Sequence, residues 1–174
     1  MSPMTSALIS YWHRLPGESP AVRRKTLDAI RERVRAGLEP RSSLVPFALG
    51  DVDDGIVVAA TQAYVTAGSG PADTGALNEA TEWVRRGLAL NRGAVFGALL
   101  ALEDEWVIER LAALRLVLSA LEIEAVGRAV GPQPGPYARE FLRDWLELAA
   151  DGPLHQERLA LRAVVEGEIR ARAA

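Results

Sequence analysis

The chain divides into apolar stretches that repeat at the helical period, separated by turn-forming residues. From Ala21 to Ala36, Leu27, Ile30 and Val34 form a narrow apolar stripe while Arg23, Arg24, Asp28, Arg31, Glu32 and Arg35 take the rest of the surface, which predicts an exposed outer helix. From Tyr137 to Ala150, Ala138, Phe141, Leu142, Trp145, Leu148 and Ala149 fall on one side and Arg139, Glu140, Arg143, Asp144 and Glu147 on the other. A last helix, about 154–171, is predicted to bury Leu161, Val165 and Ile169. The middle differs. Ile56 to Val65, Ala94 to Leu102 and much of Trp106 to Val130 are apolar nearly all round, and helices of that kind need cover on every side.

The punctuation is helical too. Ser19-Pro20 places a capping hydroxyl ahead of a proline at the first helical position, and Gly135-Pro136 and Gly152-Pro153 repeat the arrangement. Gly37, Gly50, Gly68 and Gly131 each follow an apolar periodic stretch, where a left-handed C-terminal residue is expected. No stretch alternates apolar and polar residues for more than about four positions, so the predicted fold class is all-α. Residues 1–174 read as a single α-helical domain, with 1–18 an N-terminal arm carrying a short helix.

Ser43 to Ala67 reads as a short apolar helix, an aspartate-rich turn at Asp51 to Asp54, and a second helix rich in alanine and valine. This stretch resembles one HEAT-type repeat, in which two antiparallel helices are joined by such a turn and an aspartate caps the second helix. Further pairs follow at Leu77–Leu90 with Ala94–Leu102, Trp106–Leu118 with Glu122–Val130, and Tyr137–Ala150 with 154–171. Their second helices start near positions 54, 93, 121 and 154, with spacings of 39, 28 and 33. The resemblance implies a short α-solenoid of HEAT-like helix pairs; the alternative is an irregular orthogonal helical bundle. Asp104 to Val126 contains no glycine or proline, so the third pair reads equally as one long helix or two.

Composition narrows the chemistry. A hydrophobic fraction of 49% and a charged fraction of 25% belong to a folded globular chain. The net charge of −3 argues against nucleic acid as a partner, although Arg23-Arg24-Lys25 and Arg85-Arg86-Arg92 are candidate phosphate contacts. The absence of cysteine excludes disulfides, thiolate metal sites and a cysteine nucleophile. Met1 to Leu15 lacks the pattern of a signal peptide, and the longest uncharged helical run, Gly93 to Leu102, is about half a bilayer span, so a soluble, cytoplasmic protein without a membrane partner is expected.

No reactive constellation emerges. Asp51-Val52-Asp53-Asp54-Gly55 has its glycine fifth and Gln62 at the twelfth position, which fails the calcium-loop pattern and fits a helix cap. His13 and His155 lack partners at metal-binding spacing, and His13 lies beside Trp12 in a stretch whose apolar face is Leu8, Tyr11, Trp12 and Leu15. Glu103-Asp104-Glu105 opens a helix, and Glu140/Asp144/Glu147 interleave with arginines; without Glu-x-x-His motifs neither makes a di-iron site. Nucleophile-elbow, phosphate-loop and dinucleotide motifs are absent, and Gly93 and Gly97 read as a close helix packing. The expectation is therefore no catalytic residue, no cofactor and no metal. The chain reads as a protein-interaction or scaffold module of bacterial accessory or immunity type that binds another protein. Candidate partner-binding residues are Trp12, His13, Trp83, Arg92, Trp106 and Arg110. The alternatives are a small-molecule sensor or cryptic enzyme with a pocket among the enclosed helices, and a nucleic-acid-binding helical repeat protein.

Overall fold

The computed structural model describes residues 17–67 and 70–150, together with Leu159, Arg162 and Ala163. Predictions that fall on Trp12, His13, Gly68, Gly152-Pro153 and most of the last helix lie outside the described residues. Eight α-helices span residues 20–150, and no described residue lies in a strand. They are α1 (Pro20–Arg35), α2 (Val45–Gly50, entered through a 3₁₀ turn at Arg41–Leu44), α3 (Asp54–Thr66), α4 (Thr74–Arg85), α5 (Arg92–Leu100), α6 (Glu105–Leu114, followed by a 3₁₀ turn at Arg115–Val117), α7 (Ala120–Val130) and α8 (Pro136–Ala150). None is long and apolar enough to cross a membrane.

Side-chain caps set the starts. Ser19, Asp53, Asp73, Asn91 and Asp104 each accept a hydrogen bond from the backbone N–H three residues on, satisfying a donor that the helix itself leaves free. Glu103 sits in the left-handed region (φ 58°) and reaches α8, where its Oε2 accepts from the Ala138 N–H at 2.9 Å.

α5 is the centre. Every residue from Gly93 to Leu100 is buried, and the helix packs against α3, α4, α6 and α7. α3 is nearly as enclosed, touching α1, α2, α4, α5 and α7. α4 meets α6 and α6 meets α8, so one row of helices, α4–α6–α8, lies beside a second, α3–α5–α7. The direct α3–α7 contact joins elements two pairs apart. Phe96 of α5 stacks with Phe141 and Trp145 of α8 at centroid distances of 5.9 and 5.5 Å, which ties the two rows together.

α5 and α7 approach closely because both Gly93 and Gly97 face α7. A Cβ on Gly93 would run into the Glu122 carbonyl and stand 2.8 Å from the Ala125 Cβ; one on Gly97 would stand 2.6 Å from the Ala129 Cβ. The glycine pair therefore serves helix packing, as its spacing predicts.

Several expectations need correction. The stretch from Trp106 to Val130 is two helices, separated at Leu118-Ser119, and neither is enclosed: α6 buries Val107, Leu111 and Leu114, α7 buries Ile123, Ala125 and Val126, and Leu116, Val117 and Leu121 are exposed. The break is made by a capping box in which Ser119 accepts from the Glu122 N–H and the Glu122 carboxylate accepts from the Ser119 N–H. Leu148, assigned to the buried face of α8, is exposed because no described helix covers that end. α4 ends at Arg85, which places Leu88 and Leu90 in the turn to α5. Gly50 is the last residue of α2 and has no positive φ; the left-handed residue after α3 is Ala67 (φ 49°), whereas Gly37 and Gly131 take positive φ as expected.

Candidate protein-docking surface

The turns α2–α3, α4–α5 and α6–α7 lie at one end of the helix rows and are stitched together. Leu90 N–H donates to the Leu49 carbonyl (2.9 Å). The Asn91 side-chain amide donates to the Val52 carbonyl (3.0 Å) and to Asp54 (2.7 Å), while its own oxygen caps α5. Arg92 donates through Nη2 to the Val117 carbonyl (2.6 Å) and grips the Glu122 carboxylate with Nε and Nη2. Arg128 of α7 closes the set on Asp54 at 2.6 Å. The Arg92 guanidinium holds the Glu122 carboxyl below the usual carboxylate range, against the opposing effect of burial. Asp51 anchors the first turn: it is almost fully buried, accepts from Asp53 N–H at 2.9 Å, and takes a two-pronged contact from Arg23.

From this braced frame six aliphatic side chains point into solvent. They are Val52, Leu88, Leu90, Leu116, Val117 and Leu121, exposed between 40% (Val117) and 79% (Leu116). Together they offer roughly 500 Å² of apolar surface, the size of the largest apolar patches on single-chain proteins, which are commonly functional. The four charges that stitch the turns are paired within the chain, Arg92 with Glu122 and Arg128 with Asp54, so the frame beneath the apolar contact surface is neutralised.

The sequence-derived candidates scatter over the molecule. Trp12 and His13 lie outside the described residues. Trp83 is buried, its ring 4.9 Å from that of Tyr64, and it does core work. Trp106 is half-buried on α6 with the Arg110 guanidinium over its ring at 3.3 Å; Arg110 also donates to the Trp106 carbonyl. Those two stand together, whereas Arg92 sits at the other site, in the stitched turns. The arginines offered for phosphate are mostly engaged: Arg23 with Asp51, Arg24 with Asp28, Arg85 with Glu82 and Arg92 with Glu122.

A shallow cleft of about 400 Å³ opens between the 3₁₀ turn after α6 and the outer face of α8, lined by Arg115, Asp144, Glu147 and Leu148. Its cation is partly satisfied inside the protein, over the Phe141 ring and on the Ala112 carbonyl. The cleft lies on the surface and not among the enclosed helices α3 and α5. Among the described residues no three His, Asp or Glu side chains gather as a metal site would require.

The exposed aliphatic row was not picked out from the sequence, because Leu116, Val117 and Leu121 count there as apolar residues of an enclosed helix. The signal that finds them is Ser119-x-x-Glu122: a capping box fixes a turn at Leu118-Ser119, where Leu118 and Ile123 are buried and Leu116, Val117 and Leu121 are left outside. Compared with known proteins, the chain matches no family model, no curated sequence and no solved structure.

Proposed function

We propose that the chain is a non-enzymatic protein-interaction module of stacked helix pairs, and that it docks protein through the aliphatic row at the α2–α3, α4–α5 and α6–α7 turns. One observation carries the reading: six exposed aliphatic side chains on three turns that are hydrogen-bonded to one another. An apolar surface of this size costs solubility unless it is covered in use, and its bracing means that little ordering is required when it is covered. The sequence resemblance to HEAT-type repeats agrees, since such pairs present extended surfaces formed by successive turns.

The test is co-purification from lysate of the source organism, comparing the wild-type chain with Leu116→Glu/Leu121→Glu. A protein retained by the wild type and lost by the variant supports the reading. One retained equally by both places docking elsewhere, and a chain that retains nothing above background and also does not self-associate counts against an interaction role.

A further inference from the structure

We infer that the protein occupying this row is a second copy of the same chain, bound about a two-fold axis with turn facing turn; the inference rests on the docking reading above. Two features select this occupant. The first is charge. A surface built for a partner of definite charge leaves an excess of one sign around its apolar centre. Here Asp54 is closed by Arg128 and Glu122 by Arg92, and the exposed Arg86 and Glu124 are opposite in sign, so neither sign is in excess. A neutral apolar row meets its own copy without like-charge repulsion, as a two-fold interface requires, because the same patch must suit itself.

The second is area. A stable interface buries about 800 Å² on each partner, and homodimer interfaces are about 65% apolar. That calls for roughly 500 Å² of apolar surface per subunit, which six aliphatic side chains exposed at 40–79% supply. Arg86, between α4 and Leu88, and Glu124 of α7, three residues after Leu121, are exposed polar groups for the rim. The row is also rigid. The Asn91 and Arg92 hydrogen bonds hold the turns before association, so little conformational entropy is lost on pairing.

Sedimentation equilibrium of the purified chain between about 10 µM and 1 mM tests the inference. The expected species has twice the 18.8 kDa chain mass. Leu116→Glu/Leu121→Glu places four carboxylates in the paired interface and is expected to weaken association at least ~100-fold, with the far-UV circular dichroism spectrum unchanged and the thermal midpoint no longer dependent on protein concentration. Val52→Glu/Leu90→Glu attacks the same row from its other turns and serves if the first variant misfolds. Leu38→Glu, at an exposed leucine outside the row, is expected to leave the dimer intact. A wild type that stays monomeric across the range overturns the inference; so does a dimer indifferent to both double variants, or one equally sensitive to Leu38→Glu. A monomeric wild type that still retains another protein through the row defeats self-association alone, whereas a monomer that retains nothing defeats the docking reading as well.

Discussion

Gly93 of α5 lies directly against the backbone carbonyl of Glu122 in the first turn of α7, with no room between them for a methyl group. The obstacle is main chain, which cannot rotate away as a flexible side chain does. In an exposed helix glycine to alanine gains about 1 kcal/mol; here the sign reverses. Gly93→Ala is expected to lower stability by about 3 kcal/mol through overpacking, read as a fall in the urea midpoint at constant m. Gly97→Ala, which meets the Ala129 Cβ and the Val126 carbonyl, is expected to act in the same direction.

The same Glu122 gives stability a pH dependence. Its hydrogen bonds from Arg92 depress its folded pKa below the unfolded value. A depressed acid contributes stability that is complete above the unfolded pKa, about 4.3, and is lost as pH falls through the folded pKa. The stability difference between the wild type and Glu122→Gln is therefore expected to be constant at neutral pH and to shrink on acidification below about pH 5. A difference independent of pH down to pH 3 would mean that Arg92 does not hold the carboxylate.

The α6–α7 break rests on Ser119. Its hydroxyl satisfies the Glu122 N–H, and removal of a capping oxygen costs about 1 kcal/mol. Ser119→Ala is expected to lose that amount in thermal unfolding, and Ser119→Asp to retain most of it by capping the same N–H.

How far the fold could be read from the chain follows from the range of the forces involved. Caps act over three residues, so the starts of α1 at Ser19 and of α3 at the Asp51–Asp54 turn are legible, as is the burial of α5 from its unbroken apolar run. The α6–α7 break was local as well, but it was written as a capping box instead of a glycine or proline. Arg23 shows where reading fails: its place on α1 looks solvent-facing, yet it meets Asp51, 28 residues on, and only tertiary packing sets that pairing. The docking row fails for a related reason. Apolarity at Leu116 and Leu121 is visible in the chain, but exposure depends on which helix lies opposite, and no described helix does.

Tyr64 carries an alkaline counterpart to Glu122. Burial, first, and its hydrogen bond to Glu79, second, push its hydroxyl well above the ordinary tyrosine value, so the protonated form is favoured in the folded chain. Stability from this group is complete below the unfolded pKa near 10 and declines as pH rises through the folded value. Absorbance titration is expected to show Tyr64 ionising only together with loss of helical signal, and Tyr64→Phe to remove that share of the alkaline decline. Tyr64 ionising in chain that remains folded at pH 10 would contradict the burial and the hydrogen bond.

Asp51 links stability to the proposed docking row, because the residue after it is Val52. Its two oxygens take Arg23 Nε at 2.8 Å, Arg23 Nη2 at 3.2 Å and the Asp53 N–H at 2.9 Å, while the carboxylate itself is hidden from solvent. Asp51→Asn keeps the shape but sets an amide N–H against a guanidinium N–H and removes a countercharge from a mostly buried arginine. Breaking a buried pair from one side costs about 3–5 kcal/mol, so Asp51→Asn is expected to lower the thermal midpoint sharply. Asp28→Asn, at a pair that solvent already screens, is expected to leave the midpoint where it was. If the turn is the support of Val52, Asp51→Asn also weakens docking at temperatures where the chain is still folded, because the first segment of the row is no longer fixed. Equal midpoints for the two variants would show that the Arg23 contact does not brace this end of the molecule.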